Sequence, residues 1–188
     1  MRAFFAPALL LVASTAIGAE PDWAAYGGDG RGQRHAPAGQ ITPQNVGRLE
    51  LAWTFRTGEL GKGFIRAPDA LTFEATPLLI GDTLYFDTAT GKAFAIDATT
   101  GVERWHFDAR VDPGRYYSEM TSRGVSYWRD AQAPAGGAEC AERIVFATID
   151  ARLLALDAHT GSPARISATT AKLHCGKVYA CAAAPTTT

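Results

Sequence analysis

Apolar and polar residues alternate in short runs through the middle of the chain, and the runs come round twice. Leu84 to Gly101 reads LYFDTATGKAFAIDATTG, and Ile144 to Gly161 reads IVFATIDARLLALDAHTG, aligned without a gap. Each copy holds an apolar strand, a tight turn, a second apolar strand ending in Asp-Ala, and a Thr-Gly turn. Around the first copy the pattern extends to a four-strand unit: ATPLLI, a hairpin turn at Gly81-Asp82, TLYFDT, KAFAID and VERWHF. The second copy offers GVSYW, RIVFAT, RLLALD and an interrupted fourth strand near Pro163-Ala164-Arg165. Four antiparallel strands joined by tight turns make one propeller blade, and repetition of the unit predicts an array of blades. The expected fold is therefore all-β: a partial β-propeller of four-stranded antiparallel blades.

The remaining segments carry weaker patterns. Gly27-Gly28-Asp29-Gly30 and Gly32 predict a turn-rich arm. Thr42-Pro43-Gln44-Asn45-Val46 predicts a short helix with Thr42 as N-cap and Pro43 at its first position. LAWTFR, from Leu51 to Arg56, reads as the fourth strand of a blade whose first three strands do not precede it. Segments 108–122 and 129–142 read as long loops, the second an Ala-, Gly- and Pro-rich surface excursion.

The first residues stand apart from the fold. Arg2 supplies a positive start, Phe4 to Ala13 an apolar run, and Ala16-Ile17-Gly18-Ala19 a small-residue cleavage zone, the pattern of a secretory signal. The run is shorter than the ~20 residues a spanning helix needs, so no transmembrane anchor is expected. The reading is export to the periplasm, with residues 1–19 as signal peptide, 20–161 as partial propeller and 162–188 as a divergent, disordered tail. At 188 residues and a formal charge of −1 the chain has no basic stripe suited to a phosphate backbone, which excludes nucleic acid as a partner. Its three cysteines, Cys140, Cys175 and Cys181, are an odd number for an oxidising compartment, leaving one unpaired or intermolecular.

Ordered motifs over Asp22 to Gly161 resemble the N-terminal part of pyrroloquinoline quinone (PQQ)-dependent sugar and alcohol dehydrogenases. The carrying residues are Trp23-x-x-Tyr26-Gly27-Gly28-Asp29, Gln40-Ile41-Thr42-x-x-Asn45-Val46-x-x-Leu49 and Ala52-Trp53-x-Phe55-Arg56-Thr57-Gly58. Phe73-Glu74-Ala75-Thr76-Pro77-Leu78, Asp97-Ala98-x-Thr100-Gly101-x-x-x-Trp105, Ser122-Arg123-Gly124-Val125-Ser126-Tyr127-Trp128 and Thr148-x-Asp150-Ala151-Arg152-Leu153 follow. The resemblance implies an eight-bladed ring whose central funnel holds PQQ and Ca2+. It also implies a periplasmic enzyme that oxidises a CH–OH group of a sugar, cyclic alcohol or alcohol, with a quinone or cytochrome as electron acceptor.

Three side chains are candidates for the cofactor. Glu74 is a carboxylate in an otherwise apolar or small run, and such a group needs a polar partner; by resemblance it contacts the polar edge of the quinone. Arg123 offers a planar guanidinium, suited to a cofactor with three carboxylates and adjacent carbonyls. Thr148, at the end of RIVFAT, is expected to turn its hydroxyl toward the same group. Asp97 and Asp157 occupy equivalent places in the two copies and are expected to cap turns, while Asp150 and Arg152 form an ion pair.

The family's calcium ligands and catalytic aspartate match nothing in this chain, so no catalytic or metal-binding residue is assigned and the chain is expected to be inactive alone. In the family's sugar and cyclic-alcohol branch, which the chain resembles more closely, a cysteine often precedes the arginine, where the chain has Ser122. The resemblance also implies a partner for Cys140 just after the second Thr-Gly turn, where Ser162-Pro163-Ala164-Arg165 stands instead. The competing reading is a non-catalytic propeller scaffold that binds proteins, which would have no reason to aim both Glu74 and Arg123 at one channel.

Overall fold

The computed structural model describes residues 22–59, 71–112, 114, 115, 117, 119–133 and 140–164, and the backbone of 165, 166, 173–175 and 179–180. The expected signal peptide lies outside them. Among the described residues no helix is long and apolar enough to cross a membrane.

The first repeat folds as written in its sequence. Strands β1 (Leu78–Ile80), β2 (Thr83–Asp87), β3 (Lys92–Asp97) and β4 (Glu103–Asp108) form one antiparallel sheet in the order β1-β2-β3-β4. Gly81 makes the β1–β2 turn at φ 57°, a conformation that costs a residue without Cβ little. In the second repeat, β5 (Ser126–Arg129), β6 (Glu142–Ala147) and β7 (Arg152–Asp157) take the places of β1 to β3.

The two sheets meet in a core of Leu78, Tyr85, Ala93, Ala95, Trp105, Ile144, Phe146, Leu154 and Leu156. Trp105 locks this seam. Its ring lies where a Cβ on Gly161 would sit, 2.7 Å away, and Gly161 has φ 70°. Its Nε1–H donates to the Ala158 carbonyl at 2.9 Å, and Tyr85 Oη donates to the same oxygen at 3.0 Å. Both lone pairs of a buried carbonyl are thereby used. Trp53 repeats the device one step earlier: its ring covers Gly101 and its Nε1–H donates to Ala98 O at 3.2 Å. The Thr-Gly turn of each copy is thus covered by a Trp from the segment that precedes it in the array: Trp53 for the first turn, Trp105 for the second.

Four local expectations need correction. Leu51 to Arg56 runs extended but pairs with no strand among the described residues, because a β-strand needs a partner edge and the sheet it would join is not built from these residues. Thr42 does not cap with its side chain. Asn45 Oδ1 instead accepts from Thr42 N at 2.7 Å, and the helical turn is a 3-10 turn at Val46–Arg48. The fourth strand of the second sheet begins where expected, Pro163 bridging Leu156 as Glu103 pairs with Ile96 in the first sheet, but it does not continue along β7. Strand β8 (Ala164–Ile166) leaves to pair with β9 (Leu173–Cys175), and β10 (Tyr179–Ala180) takes the place beside β7, giving the order β10-β7-β6-β5. Segment 162–188, read as a disordered tail, thus supplies three short strands to the described backbone.

Cys140, buried in a small cluster with Ala155 and Ala164, is disulfide-bonded to a cysteine whose side chain lies outside the described residues.

Candidate functional site

Two extended segments run side by side at the start of the two sheets. Leu71 and Met120 form a parallel bridge, Thr72 N donates to Met120 O at 3.0 Å, and Thr76 N donates to Arg123 O at 3.4 Å. Gly124 permits the closest approach: its φ is 115°, and a Cβ there would sit 3.0 Å from the Thr76 carbonyl oxygen. This parallel lay, set by backbone contacts, brings Glu74 and Arg123 to the same level. Arg123 Nη1 meets Glu74 Oε2 at 3.0 Å. The guanidinium is 80% exposed and the carboxylate 37%, so the pair faces outward with most of its donors turned to solvent. A screened pair of this kind adds little to stability.

Thr148 is buried at the seam between the sheets, its Cγ2 3.5 Å from a Cβ built on Gly91. Its hydroxyl donates to Asp150 Oδ1 at 2.5 Å and accepts from Arg152 N at 3.3 Å. Thr88 repeats the second bond in the first copy, accepting from Lys92 N at 3.3 Å. The hydroxyl of Thr148 is thus engaged in its own turn.

The repeat-related aspartates cap turns as expected. Asp97 Oδ1 accepts from the amides of Thr99 and Thr100 and from the Thr100 hydroxyl, and Asp157 Oδ1 accepts from His159, Thr160 and the Thr160 hydroxyl. The Arg104 guanidinium, then the Thr100 bonds, hold the Asp97 carboxyl well below the usual range. For Asp157 burial works in the opposite direction, but bonds from the Cys140 and Thr160 amides outweigh it and the net shift is downward. Arg152 pairs with Asp150 at 2.8 Å, less exposed than a surface pair would be.

Sequence reasoning missed a buried polar cluster behind the pair. Asp87, at the end of β2, is 1% exposed, and its Oδ2 accepts from Ser122 Oγ at 2.5 Å. Its Oδ1 is buried with no partner among the described residues. Burial pushes the carboxyl up to about 6, against the Ser122 bond, and the charge of Glu59 adds to the rise. Glu59 is itself buried and accepts from Thr90 Oγ1. One signal was available in the chain: where the first repeat has Asp87, the second has Ala147.

A cavity of about 810 Å3 opens on the other face of the first sheet, lined by Trp53, Phe55, Phe73, Leu84, Phe86 and Ile96 among others. It is an apolar gap between the extended segment and the sheet, and neither Glu74 nor Arg123 lines it. Among the described residues no group of three or more His, Cys, Asp or Glu side chains gathers in metal-binding geometry.

Repeated four-stranded sheets docked by Trp on Thr-Gly turns define a β-propeller protein, here a part of the ring. The family model described as "PQQ: Glucose/ethanol/alcohol dehydrogenase, beta-propeller domain" matches residues 23–174, and the chain belongs to this family. It is 40% identical over 146 residues to quinoprotein glucose dehydrogenase of Escherichia coli (strain K12), covering 76% of this chain and 18% of that protein. It is 35% identical over 155 residues to the dehydrogenase subunit of alcohol dehydrogenase (quinone) from Gluconobacter oxydans (strain 621H), covering 80% and 17%. The crystal structure of quinohemoprotein alcohol dehydrogenase from Comamonas testosteroni superposes with a TM-score of 0.58 at 28% identity, covering 76% of this chain and 18% of that one. The chain therefore spans about a fifth of the length of the relatives it matches.

Proposed function

We propose that this chain is the amino-terminal part of a periplasmic PQQ-dependent dehydrogenase that oxidises a CH–OH group of a sugar, cyclic alcohol or alcohol and passes the electrons to a quinone or cytochrome. The observation that carries the reading is the meeting of Glu74 and Arg123 on two parallel segments, within the matched region. The residues fit the cofactor's chemistry: an exposed guanidinium suits a tricarboxylate with adjacent carbonyls, and the neighbouring carboxylate orients it. When bound, the quinone accepts the two electrons of the oxidation. Arg123 would hold the cofactor's oxygens and oppose negative charge that gathers on them, Glu74 would contact its polar edge, and Thr148 would line the seam beside it. Calcium, which takes six to eight oxygen ligands, would be held by residues outside this chain. The chain alone is inactive on this reading, because the base that takes the substrate proton also lies outside it.

The test is titration of PQQ into the full chain, followed by quenching of tryptophan fluorescence. Saturable binding that weakens about tenfold or more in Arg123→Ala supports the reading. A chain that binds no PQQ overturns it in favour of a protein-binding scaffold.

A further inference from the structure

Asp87 is a carboxylate that blade construction does not call for. The equivalent place in the second repeat is Ala147, in the same register: Asp87 faces Ala93 across β2–β3, and Ala147 faces Leu153 across β6–β7. Both sheets form, so the strand does not need an acid there. Asp87 is nonetheless fully buried, with one oxygen unpartnered, an arrangement that ordinarily costs stability.

What Asp87 does touch is the turn that carries Arg123. Ser122 Oγ donates to Asp87 Oδ2 at 2.5 Å, and the same Oγ accepts from Gly124 N at 3.3 Å. The two hydrogen bonds tie both flanks of Arg123 to the end of β2. On the opposite side the Arg123 carbonyl accepts from Thr76 N, and Gly124 packs against the Thr76 backbone. The turn is held from two directions, and the guanidinium between them meets Glu74. The charged group acting on Asp87 from another element is Glu59, in the extended segment ahead of the first sheet.

We propose that Asp87 is a positioning residue for Arg123: acting through Ser122, it fixes the turn that presents the guanidinium beside Glu74. The proposal rests on the reading that Arg123 meets the cofactor, but its geometric half does not. The same role explains why the first repeat departs from the second at this one strand end. It needs Ser122 as the intermediary, since its hydroxyl both donates and accepts.

The experiment follows two readouts on the full chain: PQQ affinity by fluorescence quenching, and amide hydrogen exchange resolved to the segments around Thr76 and 120–126. Ser122→Ala and Asp87→Ala are expected to speed exchange at these two segments and to weaken PQQ binding about tenfold. Asp87→Asn keeps an acceptor oxygen in the same volume and should restore both readouts to within about twofold, also guarding against misfolding of the alanine variant. Unchanged exchange in Ser122→Ala overturns the proposal, as does faster exchange spread over the whole sheet, which would mark a purely structural role. If Arg123→Ala leaves PQQ affinity unchanged, the cofactor reading fails, while the exchange data still decide whether Asp87 holds the turn.

Discussion

The two repeats use the same turn chemistry but differ in what covers them. Asp97 and Asp157 close their Thr-Gly turns with matching bonds, and Trp53 and Trp105 each cover the glycine that ends one. Yet Trp105 is 9% exposed inside a seam between two sheets, whereas Trp53 sits on an extended segment that leaves an apolar cavity beside it. The local device is the same and the burial is not. A turn written in a few residues forms wherever its sequence occurs, while the energy it secures depends on whether a second sheet closes over it.

Substitutions that break the seam should separate the two halves. Trp105→Ala empties the seam and leaves the Ala158 carbonyl with the Tyr85 hydroxyl alone of its two side-chain donors, so a loss of about 3–5 kcal/mol is expected in urea unfolding. Trp53→Ala removes a ring that already borders a cavity, and about 1–2 kcal/mol is expected; equal losses would show that both seams are equally closed.

A second contrast lies in pH. Asp87, with its carboxyl pushed up to about 6 from an ordinary 3.8, binds its proton more tightly in the folded chain. Ionising it therefore costs stability as pH rises from about 4 through about 6, roughly 3 kcal/mol in full. Asp87→Asn should raise the unfolding midpoint at pH 8 and bring no gain at pH 4, measured by thermal unfolding in both buffers. Asp157 behaves oppositely. Its lowered carboxyl contributes stability above the ordinary carboxylate range that is lost as pH falls through the lower folded value. Asp157→Ala should cost about 1–2 kcal/mol at pH 7, since three turn bonds and the Cys140 amide lose their acceptor.

The smallest effect should come from the exposed pair. Glu74→Gln is expected to change stability by less than about 0.5 kcal/mol, because the Arg123 contact is open to water. A larger loss would mean that the pair holds the parallel segments together rather than facing a ligand.

Much of the first sheet was legible because its signals are local. KAFAID and RLLALD are strands in the structure over the same residues, and each Thr-Gly turn falls where its capping aspartate is read. Glu74 and Arg123 were each expected at the cofactor through family resemblance, and their pairing with one another was not anticipated. Residues 49 apart meet because backbone bonds lay two segments in parallel, and no local pattern encodes that. Asp87 was passed over although its departure from Ala147 was visible, because a lone acid at a strand end looks like another turn cap until its burial is known.

The sequence by itself determined the repeating strands and the turns that join them, since each depends on residues within a few positions of one another. Only the tertiary structure decided which strand completes the second sheet, that Leu51 to Arg56 lies extended without a ladder, and that Asp87 reaches Ser122. Those choices rest on contacts between distant segments, where chain entropy and the availability of a free edge outweigh local propensity.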